Sequence, residues 1–291
     1  MTGGSWALWT SRVLWAAVGI SGWSALDTAL NGRGAAARLA VGVAAWIVFG
    51  IVVVALVVPS TVSLTVVRMT APLALVAAIV SWVSGSGAAR GAAFVAAAAV
   101  NAVVILGGDV GEIFAQASAY GDEHRFPLRP PVPYVVPVVL SWCVWAAATV
   151  GGVLLAATEW WFVGVAVLIV AAVLTWLLLP RYHRLSRRWL VVVPAGLVIH
   201  DHLVLAETLL VKRAELASLG LALAQTEAAD LTGPASGHAI DVAVRETVKV
   251  AFATTRAKTE GRAIHARSFL VAPTRPGRAL KCAADSRLPG R

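Results

Sequence analysis

The feature that most restricts the fold of this chain is a series of apolar runs, each as long as a membrane span. Residues 39–58, LAVGVAAWIVFGIVVVALVV, contain no charged side chain and stop before Pro59. A helix that crosses about 30 Å of hydrocarbon needs about 20 such residues. The chain is 59% hydrophobic, with a mean hydropathy of +0.79, above the roughly 45–50% apolar usage of soluble domains. The sequence therefore predicts an α-helical polytopic membrane domain.

Five such runs predict transmembrane helices, and a sixth run near the N-terminus is interrupted by charges. The five lie at residues 39–58, 64–83, 88–107, 135–157 and 161–179. The sixth run, residues 12–30, contains Arg12, Asp27 and several Gly and Ser residues. A cleaved signal peptide is the competing interpretation of this run, but no small-residue cleavage site followed by a polar start is visible. We therefore predict about six spans within residues 1–180.

The positions of Arg and Trp predict the orientation of these spans. The segment RYHRLSRRW follows the last run, and clusters of this kind are retained on the cytoplasmic side. With six spans, eight Arg residues near the span ends fall inside and three fall outside. We expect a multi-pass protein of the plasma membrane with both termini in the cytoplasm. The predicted membrane-anchoring residues are Arg181, Arg184, Arg187 and Arg188 inside and the aromatic pair Trp160 and Trp161 outside.

A charged and proline-rich strip, AYGDEHRFPLRPPVP, separates two of the apolar runs. It belongs to residues 108–134, between the fourth and fifth predicted spans, which we call the strap and place in the cytoplasm. Its prolines forbid regular helix and favour extended backbone. Neighbouring acids and a histidine could serve proton transfer or metal ligation, although a helix cap and surface ion pairs are the simpler interpretation. The candidate docking residues of the strap are Asp122, Glu123, His124, Arg125 and Arg129.

From residue 181 onward the chain predicts a separate, basic, soluble domain. Residues 181–291 carry 17 basic and 9 acidic side chains, a net charge of +8, whereas residues 1–180 carry 7 and 6, a net charge of +1. Short β-rich runs, WLVVVP, GLVIHD and ETLLV, come first. Between Ile240 and Phe252 apolar residues then recur at even positions, which is typical of half-buried antiparallel strands. Pro276 marks the start of a short closing helix.

The order of RRWLVVVPAGLVIHD, ETLLVKRAELASL, a strand ladder and FLVAPTRPGRAL resembles the small bacterial PH-like barrels that are attached to membrane spans. This resemblance implies a mainly-β, PH-like domain at residues 181–291. The whole chain, through GDEHRFPLRPP and RRWLVVVPAGLVIHD, is also similar to a group of uncharacterised alanine-rich membrane proteins of actinobacteria. The 20 Arg against 4 Lys residues agree with a GC-rich genome. The second resemblance implies a membrane location and brings no catalytic residues.

Two histidines form the one motif with metal-ligand spacing. His200 and His202 stand at i and i+2, on the same side of a strand, a spacing that zinc or copper could use. A third ligand is needed and none is suitably spaced in the sequence, so a polar hairpin turn is the simpler interpretation. We therefore expect no metal and no other cofactor.

Within the predicted spans, Arg68 and Asn101 are the polar residues of interest. Arg68 lies near the cytoplasmic end of its span, where a long side chain can extend to the interface. The alternative is an ion pair with Asp122 or Glu123 of the strap, and Asp27 could pair with Arg33 on the outer side. Four glycines could permit close approach of helices, namely Gly42, Gly50, Gly151 and Gly152.

Three functions from different classes remain open. The first is a non-enzymatic scaffold or regulator, whose cytosolic domain docks on anionic lipid headgroups, on the strap or on a protein partner; it predicts that strap and domain are in contact. The second is a small secondary transporter, for which Asn101 is the best mid-membrane polar residue. The third is a membrane-embedded enzyme of lipid or envelope metabolism. Dispersed basic residues with few interleaved aromatic rings argue against nucleic-acid binding. The first function is favoured because few ionisable residues fall within the spans.

Overall fold

The computed structural model describes residues 3–223, 226–253 and 263–290. The chain forms two compact units: a helical unit, Met1–Phe114 with Val138–Tyr182, and a C-terminal unit, Ala115–Pro137 with His183–Arg291. The second unit is mainly β. The division differs from the predicted boundary at residue 180, because most of the strap belongs to the C-terminal unit.

Helices make up the first unit and lead into the second. In chain order they are α1 (Gly3–Ala29), α2 (Ala35–Val57), α3 (Thr61–Thr70), α4 (Leu73–Val83), α5 (Ala88–Leu106), α6 (Gly108–Gln116), α7 (Val132–Ala156) and α8 (Trp161–Ser186). Five stretches are long and apolar enough to cross a membrane: α2, the pair α3 and α4, α5, α7 and α8. The spans predicted at residues 39–58, 64–83, 88–107, 135–157 and 161–179 thus coincide with helical stretches of sufficient length and apolar composition.

The N-terminal helix α1 is not among those five stretches, yet it is an integral part of the helical unit. It contains 27 residues and packs against α2, α4 and α5. Trp15, Val18 and Ala25 are buried in the core that these helices share. The Trp15 indole nitrogen donates to the Phe49 carbonyl oxygen of α2 at 3.1 Å, so its polar atom is satisfied inside the unit.

The third span is divided between α3 and α4 at Ala71 and Pro72. Pro72 has no N–H and its ring crowds the preceding turn, which interrupts a helix. Ser60 caps the start of α3, since its hydroxyl oxygen accepts from the Ser63 N–H at 3.0 Å. A second core joins this region to α7 and α8, where the Trp142 indole nitrogen donates to the Met69 carbonyl oxygen at 2.9 Å.

Close helix contact depends on fewer glycines than the sequence suggests. A Cβ atom at Gly152 would lie 2.9 Å from the Leu168 side chain, and one at Gly164 would overlap the backbone of Ala156. Nothing lies within 4 Å of the Cβ positions of Gly42, Gly50 and Gly151, so the prediction for these three is wrong. Spacing along a helix does not reveal which face meets a neighbour, and Gly164 was missed for that reason.

The C-terminal unit contains eight strands and one helix among its described residues. They are β1 (His124–Pro127), β2 (Trp189–Val193), β3 (Gly196–His200), β4 (Leu209–Lys212), β5 (Leu216–Leu221), β6 (Ala229–Asp230), β7 (Ile240–Ala251), β8 (Ala263–Val271) and α9 (Pro276–Asp285). The first sheet is antiparallel in the order β1-β2-β3-β4, and the second has the order β5-β7-β8-β6, with β6 parallel to β8. The four predicted stretches of strand and the helix starting at Pro276 are present.

One hydrophobic core lies between the two sheets and the closing helix. Strand alternation directs Leu190 and Val192 of β2 into it, and Ile240 and Val242 of β7 meet them from the other sheet. The even-numbered pattern of β7 is therefore correct, although its pairing with β8 shifts between Ala243 and Val248. Helix α9 contributes buried alanines to the same core.

The strap is not extended throughout, which corrects the sequence prediction. Its first part is the helix α6, whose Val110 and Phe114 are buried in the core of the helical unit. Its last residues begin α7, where Pro133 occupies the first turn. Proline is tolerated there because the first N–H groups of a helix have no intrahelical partner. The extended part is limited to the segment around β1.

Candidate functional site

The strap forms an edge strand of the C-terminal unit. Strand β1 pairs antiparallel with β2, so that His124 lies opposite Val192 and Pro127 opposite Trp189. Phe126 of this strand is buried in the core. The predicted contact between strap and soluble domain is thus present, as a shared sheet and core.

Backbone bonds beyond β1 attach the strap to the second sheet as well. The Arg129 N–H donates to the Ala272 carbonyl oxygen at 2.9 Å, just after β8, and the Thr274 N–H donates to the Pro127 carbonyl oxygen at 2.8 Å. The Val132 N–H donates to the Pro234 carbonyl oxygen at 3.2 Å. Strap residues therefore connect the two sheets, a role that prolines suit because they leave few N–H groups to satisfy.

A buried ion pair lies just before β2, next to the strap. The Arg188 guanidinium donates to both carboxylate oxygens of Asp201, at 2.7 and 2.6 Å, and to the Arg129 carbonyl oxygen at 2.9 Å. Both side chains of the pair are 0% exposed. The prediction that Arg188 anchors the protein to lipid headgroups is therefore wrong. A guanidinium with a bidentate partner inside the domain cannot also reach a headgroup.

A row of stacked side chains lies on the face of the first sheet opposite the core. The Arg125 guanidinium carbon is 5.0 Å from the centre of the Trp189 ring, the Trp189 and His200 rings stack at 5.3 Å, and the His202 ring is 5.9 Å from His200. Arg187, on the segment before β2, acts electrostatically on both histidines. We call Arg125, Arg187, Trp189, His200 and His202 the His/Arg cluster.

Both histidines of the His/Arg cluster are harder to protonate than a free histidine. Burial lowers the pKa of His200, and the charges of Arg187 and Arg125 lower it further, against the opposing effect of Asp201. Burial also lowers the pKa of His202, followed by the neighbouring His200. A neutral imidazole is thus favoured near neutral pH, where unperturbed histidine already titrates.

Metal ligation finds no support in this geometry. Within the described part of the chain, no group of three or more His, Cys, Asp and Glu side chains could hold a metal ion. The His200 Nδ1 instead shares a hydrogen bond with the Thr208 hydroxyl at 3.0 Å.

In the acidic part of the strap, Glu123 has a structural role. Its carboxylate accepts from the Arg125 Nε at 2.9 Å and from the Tyr120 N–H at 2.6 Å. The Gln116 side chain closes the same turn by donating to the Glu123 carbonyl oxygen and accepting from the Arg125 N–H. Asp122 and His124 are exposed. The carboxylate and the arginine thus fix the entry to β1.

Arg129 is the last of the predicted docking residues and is half-buried. Its guanidinium donates to the His238 carbonyl oxygen in the loop before β7. Burial lowers the pKa of this group. Arg129 therefore joins the strap to that loop.

Two arginines of the helical unit donate hydrogen bonds to backbone carbonyl oxygens at the C-terminal ends of neighbouring helices. The Arg68 Nη2 donates to the Gly107 carbonyl oxygen at 3.2 Å, with its Nε 3.5 Å from the Ile105 oxygen. Arg12 donates to the Leu56 carbonyl oxygen near the end of α2, at 2.9 and 3.2 Å. Among the described residues, Arg68 forms no ion pair with Asp122 or Glu123, the alternative to extension of its side chain to the interface. A helix end leaves carbonyl oxygens without intrahelical donors, and an arginine satisfies them.

Other intraspan and interfacial predictions have mixed outcomes. Asn101 is fully buried, and its side-chain amide atoms have no hydrogen-bond partner among the described residues. Asp27 pairs with Arg38 at 3.2 Å instead of Arg33. Five of the predicted membrane-anchoring side chains are exposed in the structure, namely Arg181, Arg184, Arg187, Trp160 and Trp161.

Sequence reasoning missed the Arg188–Asp201 pair and the helix-capping role of Arg12. The first could have been suspected from an Arg and an Asp at the ends of two predicted neighbouring strands. The second has no local signal, since Arg12 and Leu56 are distant in the sequence. Comparison of the chain with protein-family models, with curated proteins and with solved structures gives no significant match.

Proposed function

We propose that this protein is a non-enzymatic integral protein of the plasma membrane, a scaffold or regulator whose C-terminal unit docks on anionic lipid headgroups. The observation that carries the proposal is a set of exposed arginines at the end of the last apolar helix, namely Arg181, Arg184 and Arg187. Each basic residue near an anionic leaflet contributes about 1 kcal/mol of attraction. The net charge of +8 on residues 181–291 adds to it.

Chain connectivity supports a domain held near the membrane surface. Strand β2 begins three residues after α8 ends, a connection that spans about 10 Å at most. Strand β1 precedes α7, β2 follows α8, and the two strands are hydrogen-bonded to each other. This pairing supports our placing both ends of the α7–α8 pair on one side of the bilayer, as two crossings require.

The proposal includes α1 as a sixth span, with both termini in the cytoplasm. A helix of 27 residues is about 40 Å long and exceeds the hydrocarbon thickness. Ile20 and Trp23 are exposed on α1, as lipid-facing side chains would be. We further propose a PH-like fold for the C-terminal unit, with the strap supplying its first strand. Its two four-stranded sheets and the closing helix α9 support this proposal.

Native mass spectrometry of the full chain with phosphatidylglycerol and phosphatidylcholine tests the docking. We expect the triple variant Arg181→Gln, Arg184→Gln, Arg187→Gln to lose most phosphatidylglycerol adducts and to keep phosphatidylcholine adducts. The matched control, Lys249→Gln, Arg267→Gln, Lys281→Gln, removes the same charge from exposed positions of the same unit and should bind as the wild type does. Equal binding by both triple variants would contradict headgroup docking.

A further inference from the structure

Two histidines and an arginine lie together on the first sheet without contributing to its core. The core takes Leu197 and Ile199 from β3, whereas His200 belongs to the opposite face. Trp189 is only 8% exposed, because it is stacked between Arg125 and His200. The stack fixes the ring of His200, and His202 lies beside it at the edge of the same face.

The acidic groups near the His/Arg cluster are already engaged. Asp201 is buried and accepts both of its charged hydrogen bonds from Arg188. Glu123 accepts from Arg125. Neither Arg184 nor Arg187 forms an ion pair with any of the described residues. The charges of Arg184 and Arg187 therefore have no matching carboxylate among the described residues, a condition that favours an anionic ligand.

Hydrogen-bond donors are also directed away from the core. The Nδ1 of His200 is engaged with the Thr208 hydroxyl at 3.0 Å, which leaves Nε2 for a ligand. When the hydroxyl donates to Nδ1, the neutral ring carries its proton on Nε2. Arg187 and His202 are exposed and add donors of the kind that phosphate accepts.

We propose that the His/Arg cluster is a proton-linked binding site for the phosphate group of an anionic lipid headgroup. This inference rests on the docking function proposed above and names its site. A lipid is the favoured source of the phosphate because Arg184 lies in the last turn of α8 and Arg187 immediately follows that helix. An anionic ligand is favoured because Arg184 and Arg187, which form no ion pair among the described residues, act electrostatically on His202.

Proton linkage follows from the charges that face the histidines. Burial and then the charges of Arg187 and Arg125 lower the pKa of His200, and Asp201 opposes them. Burial, the neighbouring His200 and the charges of Arg187 and Arg184 lower the pKa of His202, again against Asp201. A phosphate bound beside Arg187 would offset that positive charge and raise both pKa values. A group whose pKa rises on binding takes up a proton, so headgroup affinity increases as pH falls through the histidine range.

Histidine NMR on the full chain in nanodiscs tests the site. The Cε1 signals of the six histidines are titrated between about pH 5 and pH 8, first in phosphatidylcholine and then with phosphatidylglycerol added. We expect the midpoints of His200 and His202 to rise by about half a pH unit or more, and those of His238 and His265 to rise less. In Arg187→Gln, the midpoints of His200 and His202 should rise no more than those of His238 and His265. In Lys281→Gln, they should still rise more.

Each other outcome overturns part of the inference. An equal rise for all four histidines would mean a general surface potential and no site. Inorganic phosphate acting in phosphatidylcholine discs as strongly as phosphatidylglycerol would make free phosphate the ligand and overturn the lipid assignment. The midpoints of His200 and His202 could stay unchanged while phosphatidylglycerol adducts still depend on Arg181, Arg184 and Arg187. That combination would reject this site and leave the docking function standing.

Discussion

Among the described residues, the least exposed arginines of the two units bind different partners. In the helical unit, Arg12 and Arg68 donate to carbonyl oxygens at the ends of α2 and α5. In the C-terminal unit, Arg188 donates to the carboxylate of Asp201. The last carbonyl groups of a helix have no intrahelical donors, so a guanidinium there satisfies an existing deficit and needs no second charge.

Apolar side chains show the same contrast. Val103 is 73% exposed and Trp176 76% exposed in the helical unit, as expected of side chains that face lipid. The C-terminal unit instead encloses Phe269, Val242 and Leu216 completely in one core. The hydrophobic effect therefore stabilises the C-terminal unit, whereas close helix packing and satisfied backbone groups stabilise the helical unit.

The largest expected effect concerns the buried ion pair. Arg188→Ala leaves the Asp201 carboxylate buried without its cation, and we expect the C-terminal unit to lose about 3–5 kcal/mol of free energy of unfolding. Protection of the β2 and β3 amides from hydrogen exchange in the full chain measures this loss.

A double variant serves as the control for this pair. Arg188→Met with Asp201→Leu replaces both charges by apolar groups of similar size, and it should recover much of the lost stability. Unchanged protection in Arg188→Ala would show that the pair contributes no more than a surface ion pair.

The next effect tests whether carbonyl capping serves the helical unit as ion pairing serves the other. Arg68→Leu removes charged hydrogen bonds to the end of α5, and we expect a loss of about 1.5–3 kcal/mol in unfolding by sodium dodecyl sulfate in mixed micelles. Arg90→Leu changes an exposed arginine in the first turn of the same helix and should have little effect. Similar losses in both variants would indicate a general charge effect.

Helix packing supplies a third test of the comparison. Gly164→Ala places a methyl group against the backbone of Ala156, and we expect a loss of about 1–3 kcal/mol by the same assay. Gly151→Ala is the matched control, because its Cβ position is open and alanine favours the helix. A tolerated Gly164→Ala would mean that the α7–α8 contact can widen freely.

The smallest effect is a pH dependence confined to the C-terminal unit. Burial and the neighbouring arginines lower the pKa of His200 in the folded state, so the unfolded chain binds more protons below about pH 6.5. The free energy of unfolding should therefore be fully present above that pH and decline as pH falls. His200→Gln with His202→Gln should flatten the decline in hydrogen-exchange protection of β3, whereas His265→Gln should leave it intact. A wild-type profile without this slope would contradict the assignment.

The local sequence pattern was sufficient to predict an element where one periodic signal dominated. Five long apolar runs predicted five membrane-length helical stretches, and the even-numbered apolar residues of β7 predicted which side enters the core. These properties depend on near neighbours in the chain. The start of α9 at Pro276 follows from the missing proline N–H in the same way.

Tertiary structure alone decided where the strap belongs. Its prolines indicated extended backbone but carried no information about the partner strand, because β1 and β2 are separated in the sequence by the whole of α7 and α8. The burial of Arg188 was decided likewise, since four arginines of one cluster look alike until Asp201 is placed beside one of them. The sequence by itself determined the lengths and faces of the elements, whereas their long-range pairing determined which charged groups are buried and which remain available to a ligand.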